Sequence, residues 1–219
     1  MRYFSALLLT ACILAGCTPV KEILYRGQIF GFMTAPLVMQ GDDDRIYHFQ
    51  NADSDKIPEE GRIVALFDVY EKIEGTENEY TAEMLQYSIP VYKDPTLCTT
   101  PEESEALGTD AVRMLDGDYS GGCLNMLCSA LFNNESGITH VVSLETASAQ
   151  PVLDTLHFIL HHNAGGDAPE GDDNSNFTDY QFYASFPISE MLSKDKDTVL
   201  EIKCFWDNEW HRKCATITK

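Results

Sequence analysis

The feature that most constrains this chain is the spacing of its apolar residues, which recur at every second position through most of the sequence. The clearest case lies in residues 62–72, where one parity carries Ile63, Ala65, Phe67 and Val69. A period of two is typical of β-strands, because successive side chains point to opposite faces of a sheet. Hydrophobic residues are 44% of the 219 residues and charged residues 23%, a balance typical of folded globular chains. The sequence therefore predicts an all-β protein.

Residues 22–95 are predicted to form a small OB-like β-barrel. Strand-like segments alternate here with turns, and Val91 and Tyr92 are predicted to begin the fifth strand. The apolar positions change parity after Met84, which indicates a β-bulge. Five short strands within roughly 70 residues fit a Greek-key barrel of the OB type.

A linker with one short helix is predicted at residues 96–109. Thr100 is suited to cap the helix, Pro101 to occupy its first turn, and Glu103 to complete a capping box. Residues 110–219 then return to the period of two, which favours an antiparallel β-sandwich. Within it, residues 163–176 form an acidic, glycine-containing loop, and loops of that length are usually functional or mobile.

The N-terminus predicts export and lipid attachment. Arg2 precedes an apolar stretch, and residues 14–17 have the sequence Leu-Ala-Gly-Cys, a bacterial lipobox. We therefore predict a signal peptide at residues 1–16, lipidation of Cys17 and a tether at residues 17–21. Cys12 ends a second lipobox-like sequence, but its apolar stretch is shorter than the ~7–15 residues usually needed. The other alternative is an uncleaved transmembrane anchor, which the polar residues and Pro19 within the stretch disfavour.

Lipidation at Cys17 would anchor the protein stably, because two or more acyl chains hold a protein at a membrane. We expect the bacterial cell envelope, with attachment to the outer membrane. The residues after Cys17 lack an acidic run that could mark surface export, so the periplasmic face is favoured over the surface.

The charge balance excludes some partners. Asp and Glu outnumber Lys and Arg by 35 to 15, a net charge of -20. Nucleic acid is excluded as a partner because affinity for phosphate comes mainly from Lys and Arg. Such acidity suits a cationic peptide instead.

Seven cysteines are present. Cys12 leaves with the signal peptide and Cys17 is lipidated, so five remain. Cys204 and Cys214 flank a predicted hairpin with its tip at residues 208–210, which makes them a candidate disulfide. The alternative is that both are small buried hydrophobic residues.

Two sets of side chains are candidates for metal binding. His157, His161 and His162 precede Asp167, Asp172 and Asp173, a set suited to zinc, but a strand separates positions i and i+4 by ~13 Å. The alternative is that these histidines lie on an exposed sheet face.

Asp172, Asn174 and Asn176 match the first three ligands of a calcium loop, whereas Phe177 and Tyr183 replace the required Gly and Glu. We therefore predict no cofactor and interpret residues 42–44 and the 163–176 loop as solvated acidic segments. The chain also lacks the GxSxG and HExxH motifs of hydrolases, which favours a protein that is not an enzyme.

Three segments carry a family resemblance: residues 61–64 (Gly-Arg-Ile-Val), residues 116–125 (Asp-Gly-Asp-Tyr-Ser-Gly-Gly-Cys-Leu-Asn), and residues 160–163 (Leu-His-His-Asn) followed by Asp167. With the lipobox, these resemble the NigD-like lipoproteins of Bacteroidota. The resemblance implies a barrel followed by a sandwich and an envelope location. The family takes its name from a bacteriocin gene cluster, which implies a role in immunity, and it supplies no catalytic residues. Cys123 and His161 depart from the family pattern, where an aromatic residue and an arginine are usual.

These observations favour a non-enzymatic, lipid-anchored envelope protein that binds a protein, peptide or glycan. Three alternatives stay open, of which two are binding proteins: a calcium- or zinc-dependent binding module that uses the 163–176 loop, and a glycan-binding surface lipoprotein. A hydrolase without a known motif is the third.

Overall fold

The structure is a computed structural model that describes residues 21–50, 56–133, 135–149, 154–169 and 175–218. These residues form a closed five-stranded barrel followed by a five-stranded and a four-stranded sheet. The predicted all-β class, with a small barrel before a β-sandwich, is confirmed. Cys17 and the predicted signal peptide lie outside the described residues. In the described part of the chain, no helix has both the length and the apolar character needed to cross a membrane.

The barrel contains β1 (Tyr25–Ala35), β2 (Val38–Gly41), β3 (Ile46–Phe49), β4 (Gly61–Lys72) and β5 (Glu79–Ser88). Its strands close in the order β1-β2-β3-β5-β4, with β3 parallel to β5 and the other neighbours antiparallel. The sequence did not reveal β2, because the turn before it places Leu37 at a φ of 60°, where glycine or asparagine would be the usual signal.

The barrel core follows the predicted alternation in β4. Ile63, Ala65 and Phe67 are fully buried, and Tyr47 packs its ring against Phe67 with centroids 4.5 Å apart. Pairing between β4 and β5 shifts in register so that Leu85 has no direct partner. This confirms the bulge predicted from the change of parity.

The sandwich is built from nine strands of the described chain: β6 (Val91–Tyr92), β7 (Thr96–Leu97), β8 (Arg113–Ser120), β9 (Cys123–Asn133), β10 (Val141–Thr146), β11 (Thr155–Asn163), β12 (Phe177–Pro187), β13 (Thr198–Trp206) and β14 (Glu209–Ile217). One sheet has the order β14-β13-β11-β10-β7 and the other β6-β12-β9-β8. The pairs β11–β13, β10–β7 and β12–β6 are parallel, so the prediction of an antiparallel sandwich is wrong for these three pairs. The space between them is filled by large apolar side chains that are at most 2% exposed, including Leu124, Met126, Leu144, Phe158, Phe186 and Leu200.

The segment between barrel and sandwich differs from the prediction in two respects. Thr96–Leu97, predicted as part of the linker, forms β7 and pairs with β10 of the sandwich. Val91–Tyr92 forms β6, which pairs with β12 and therefore belongs to the sandwich rather than to the barrel. The predicted helix is α1 (Pro101–Glu105), and Thr100 and Glu103 form the expected capping box. A 3₁₀ turn at Ser189–Met191 follows β12.

The two cysteines of the candidate disulfide do not face each other. The hairpin turns at Asp207 and Asn208, so that Cys204 lies opposite His211 and Cys214 lies opposite Glu201. This register is three residues away from the one expected, and an odd offset places two side chains on opposite faces of a sheet. Cys204 is buried, Cys214 is exposed, and both are free thiols.

Candidate binding site

A buried ionic network joins the barrel to the sandwich. Arg62, at the start of β4, donates two hydrogen bonds to the Asp42 carboxylate, over 2.7 and 2.6 Å. The same guanidinium donates to Ser185 Oγ at 2.9 Å and to Asn125 Oδ1 at 2.9 Å, both in the sandwich. Ser120 Oγ completes the network by donating to Asp42 Oδ2 at 3.0 Å. Side chains that are far apart in sequence therefore connect the two parts of the molecule.

This network satisfies two charges that are almost completely removed from water. The Arg62 side chain is 0% exposed and that of Asp42 4%. Arg62 also lies over the Phe32 ring, 4.7 Å from its centroid, which adds a cation–π contact. A buried charge is tolerated when it is paired and hydrogen-bonded. The prediction that residues 42–44 form a solvated turn is therefore wrong for Asp42, because its carboxylate is the counter-ion of Arg62.

The glycine at position 121 is required by the same carboxylate. Gly121 has a φ of 55°, and a Cβ there would lie 2.1 Å from Asp42 Oδ1. Glycine is the residue that permits both the left-handed backbone and this close approach. The two segments quoted for the family resemblance, residues 61–64 and 116–125, thus meet at Asp42.

An acidic cleft of about 720 Å³ opens beside this network, between barrel and sandwich. The described residues that line it include four aspartates and no basic side chain. The aspartates are Asp42, Asp43, Asp116 and Asp118. Partial burial raises the pKa of Asp118, the neighbouring Ser120 opposes this, the carboxylates of Asp42 and Asp116 raise it further, and the Arg62 guanidinium lowers it. The cleft is therefore a region of negative potential that a cation would relieve.

Aromatic and amide groups from both the barrel and the sandwich line the cleft. Phe30 and Tyr183 meet edge to face with centroids 5.7 Å apart, and Gln28 donates a hydrogen bond to the Tyr183 hydroxyl. The cleft thus combines apolar surface with hydrogen-bonding groups and negative charge. This combination suits an extended ligand that carries both alkyl and cationic groups.

The histidines considered for zinc do not converge. His157 is exposed beside Glu201, whereas His161 and His162 are 5% and 2% exposed, so the predicted exposed sheet face is wrong for those two. His161 Nε2 lies 2.6 Å from Glu145 Oε2 on the side covered by the linker. His162 points to the opposite side of the strand.

Metal binding has no complete ligand set in the described chain. These residues contain no group of three His, Cys, Asp or Glu side chains that could hold a metal ion. Of the calcium candidates, Asn176 is exposed, and Asp172 and Asn174 lie outside the described residues together with Asp173. The calcium alternative therefore stays a prediction.

Sequence reasoning missed the main residues of this site. Asp42, Asn125 and Ser185 are separated by long stretches of chain, and nothing local indicates that they meet. One signal was available: Arg62 begins an unbroken apolar run, Ile-Val-Ala-Leu-Phe. Such a run is typical of a strand covered on both faces, so an arginine at its start has to find a buried counter-ion.

Comparison with known proteins gives one family match. Residues 95–218 match the family described as the NigD-like C-terminal beta sandwich domain. No curated protein matches the chain.

Three solved structures share the fold. A toxin-related protein from Parabacteroides distasonis ATCC 8503 has a TM-score of 0.67 at 14% identity, covering 89% of this chain and 94% of that one. A NigD-like immunity protein from Bacteroides caccae ATCC 43185 has a TM-score of 0.59 at 14% identity, covering 89% and 97%. A protein assigned as a lipoprotein, from Bacteroides fragilis NCTC 9343, has a TM-score of 0.57 at 11% identity, covering 89% and 97%. At these identities the likeness shows a common architecture.

Proposed function

The chain belongs to the NigD-like family, whose C-terminal β-sandwich domain it carries at residues 95–218, and from this premise we propose that it is a lipid-anchored binding protein of the cell envelope. The proposed activity is non-covalent binding of a cationic partner in the acidic cleft, without catalysis. The proposed biological role is immunity-like: the protein intercepts a positively charged peptide at the membrane. The observation that carries the proposal is the cleft lined by Asp116 and Asp118, which form no ion pair among the described residues, beside Asp42 and Asp43, which are paired with Arg62 and Arg45.

Anchoring is proposed to occur at Cys17. The lipobox supports it, as does the lipoprotein assignment of the Bacteroides fragilis relative. Radiolabelled palmitate fed to expressing cells is expected to label the wild-type protein and not Cys17→Ala. Label that persists in Cys17→Ala, or that disappears only in Cys12→Ala, would contradict this assignment.

A cationic partner is favoured by two properties of the cleft and by the net charge of the whole chain. Asp116 and Asp118 form no ion pair among the described residues, so a ligand could neutralise them. The whole chain carries a net charge of -20, which would steer a cation toward the protein from a distance. The aromatic side chains Phe30 and Tyr183 offer apolar surface for the alkyl part of lysine or arginine.

The binding proposal is tested with a fluorescein-labelled lysine nonamer and fluorescence anisotropy. The double variant Asp116→Asn/Asp118→Asn is expected to bind roughly 30-fold more weakly, because two lost contacts at ~1 kcal/mol each sum to that factor. The matched control is Asp154→Asn/Asp195→Asn, which removes the same charge from exposed positions outside the cleft. The control is expected to change affinity by less than threefold. Equal losses in both variants would show that only net charge matters and would overturn the cleft as the site.

The immunity-like role needs a separate test in cells. It is supported by the fold shared with the NigD-like immunity protein from Bacteroides caccae. Cells that lack this protein are expected to be more sensitive to cationic antimicrobial peptides, and the wild-type gene should restore resistance. Restoration by the Asp116→Asn/Asp118→Asn variant to the same degree would contradict a role for the cleft.

A further inference from the structure

A second buried polar cluster lies at the far end of the sandwich and is separate from the cleft. His162 on β11 places Nε2 2.9 Å from Nδ1 of His140, and His140 Nε2 lies 3.2 Å from Asp167 Oδ2. The side chain of His140 is 2% exposed and that of Asp167 6%, and His162 as a whole is 2% exposed. These three side chains are here called the histidine cluster. His140 comes from the segment before β10, His162 from β11 and Asp167 from the turn after β11, so the cluster connects these three segments.

The outer partners of the cluster fix which nitrogen atoms carry protons. His162 Nδ1 lies 2.9 Å from the Ala111 carbonyl oxygen, which only accepts, so Nδ1 must donate. An ionised Asp167 also only accepts, and so His140 Nε2 must donate to it. In neutral rings these assignments leave His140 Nδ1 and His162 Nε2 without hydrogen. Two lone pairs would then face each other over 2.9 Å in a buried site.

We infer that the histidine cluster is a proton-binding site, in which one proton shared between His140 Nδ1 and His162 Nε2 ties the turn at residues 164–169 to β11. The hydrogen bonds between His162 and Ala111, between His162 and His140, and between His140 and Asp167 then contain one proton each. The single imidazolium is balanced by the Asp167 carboxylate. Every buried polar atom on this path is satisfied, as buried polar groups are in native proteins.

A proton fits the space between the rings better than a metal ion does. Two imidazole nitrogens bound to one tetrahedral zinc lie about 3.3 Å apart for Zn–N bonds of ~2.0–2.1 Å, whereas these lie 2.9 Å apart. In addition, the described residues supply no third metal ligand. The distance is that of an N–H···N hydrogen bond.

The surroundings favour one positive charge and disfavour two. Phe132 stacks on His140 with ring centroids 4.0 Å apart, an arrangement that stabilises an imidazolium. Burial lowers the pKa of His162, the hydrogen bond to the Ala111 carbonyl opposes this, and the neighbouring His140 lowers it further, so His162 resists a proton of its own beside a charged His140.

The other titratable groups around the cluster do not replace the shared proton. The Asp110 carboxylate favours charge on His162, and its oxygen accepts from the Ala164 amide. Asp207, from the β13–β14 turn, lines the cavity that His162 also lines, and Tyr180 of β12 packs on Phe132. His161 points to the other side of β11, where its partners are Glu145 and the Gly108 carbonyl.

The histidine cluster borders a second cavity. Ala168 and Pro169, directly after Asp167, line a cavity of about 340 Å³ that Phe205 and Trp206 also line. When the proton is lost, the two lone pairs repel and the turn loses this link to β11, while its hydrogen bonds to Ser136 and Asp110 remain. Opening releases the shared proton from the buried site, because histidines in the open state bind protons only below about pH 6.5. The equilibrium constant for opening therefore rises up to tenfold per pH unit as pH increases from 6.5.

The test combines two NMR measurements on the ¹⁵N-labelled protein. Long-range ¹H–¹⁵N spectra of the imidazole rings are expected to show one shared proton on His140 and His162 at pH 7. Protection of the Ala164 and Asp167 amides, corrected for intrinsic exchange, is expected to fall at least tenfold between pH 6 and pH 9. In His140→Gln this protection should be low and independent of pH. In the control His157→Gln, which changes the exposed histidine of the same strand, the wild-type pH dependence should persist.

Three outcomes would overturn the inference. The first is an imidazole spectrum of the wild-type protein that shows two neutral rings at pH 7. This outcome needs no variant, so it stays decisive even if His140→Gln fails to fold. The second is wild-type protection that does not change with pH. The third is displacement of the shared proton by equimolar zinc, which would make the cluster a metal site.

Discussion

Removing the charge of Asp42 while keeping its shape is the perturbation that best tests how the two parts of the molecule are held together. Asp42→Asn leaves the Arg62 guanidinium buried, with a side-chain exposure of 0% and no counter-ion. Its remaining partners, Asn125 and Ser185, are neutral. Breaking a buried ion pair by removing one partner costs about 3–5 kcal/mol. For a chain of this length each kcal/mol lowers Tm by about 2–4 °C, so we expect a fall of roughly 6–20 °C.

The assay is a double-mutant cycle followed by thermal and urea unfolding. Asp42→Asn and Arg62→Met are combined, and the double variant is expected to cost clearly less than the sum of the single variants, because neither then leaves a buried charge unpaired. The control cycle uses the Lys196–Asp154 pair, whose side chains are 68% and 54% exposed at a distance of 3.5 Å. That pair is expected to contribute less than ~1 kcal/mol. A cost below ~1 kcal/mol for Asp42→Asn, or a coupling energy no larger than in the control cycle, would refute this reasoning.

Three further outcomes follow from the structure. Native protein treated with iodoacetamide should be alkylated first at the exposed Cys214, whereas burial raises the pKa of Cys128 to about 12 and should keep it unmodified; equal rates by peptide mapping would contradict this. Gly108→Ala should destabilise by at least ~1 kcal/mol more than Gly75→Ala, because both have positive φ but only at position 108 would a Cβ lie 2.5 Å from a backbone carbonyl of β11; equal urea midpoints would argue against that contact. Calcium should leave Tm unchanged, because the loop lacks the Gly and Glu that such sites require; a chelator-reversible rise that Asp172→Ala abolishes would restore the calcium alternative.

Local patterns predicted the parts of the fold that depend on neighbouring residues. The alternation in β4, the bulge at Leu85 and the capping box at Thr100 each arise from side chains a few positions apart, and all three are confirmed. The turn at Leu37 escaped prediction because its backbone conformation is imposed by the barrel rather than by a glycine. The assignment of β6 to the sandwich also depends on a distant strand, β12, that no local pattern indicates.

The candidate site was less predictable, because its members meet only through the tertiary fold. Arg62 and Asp42 are 20 positions apart, and Ser185 is 123 positions from Arg62. His161 and His162 looked like exposed residues because the strand pattern does not show what covers each face of a sheet. The linker covers His161, and the segments at 110–111 and 140 cover His162.

The most direct test of the proposed function is amide chemical-shift mapping of the ¹⁵N-labelled protein titrated with the lysine nonamer at physiological salt. Binding in the cleft predicts saturable shifts concentrated at Gln28, Asp118 and Tyr183, which approach the cleft from both barrel and sandwich. The shifts should weaken as salt is added, because screening reduces the attraction between exposed charges. Shifts spread over the whole acidic surface, or confined to the β13–β14 hairpin, would contradict the cleft as the binding site.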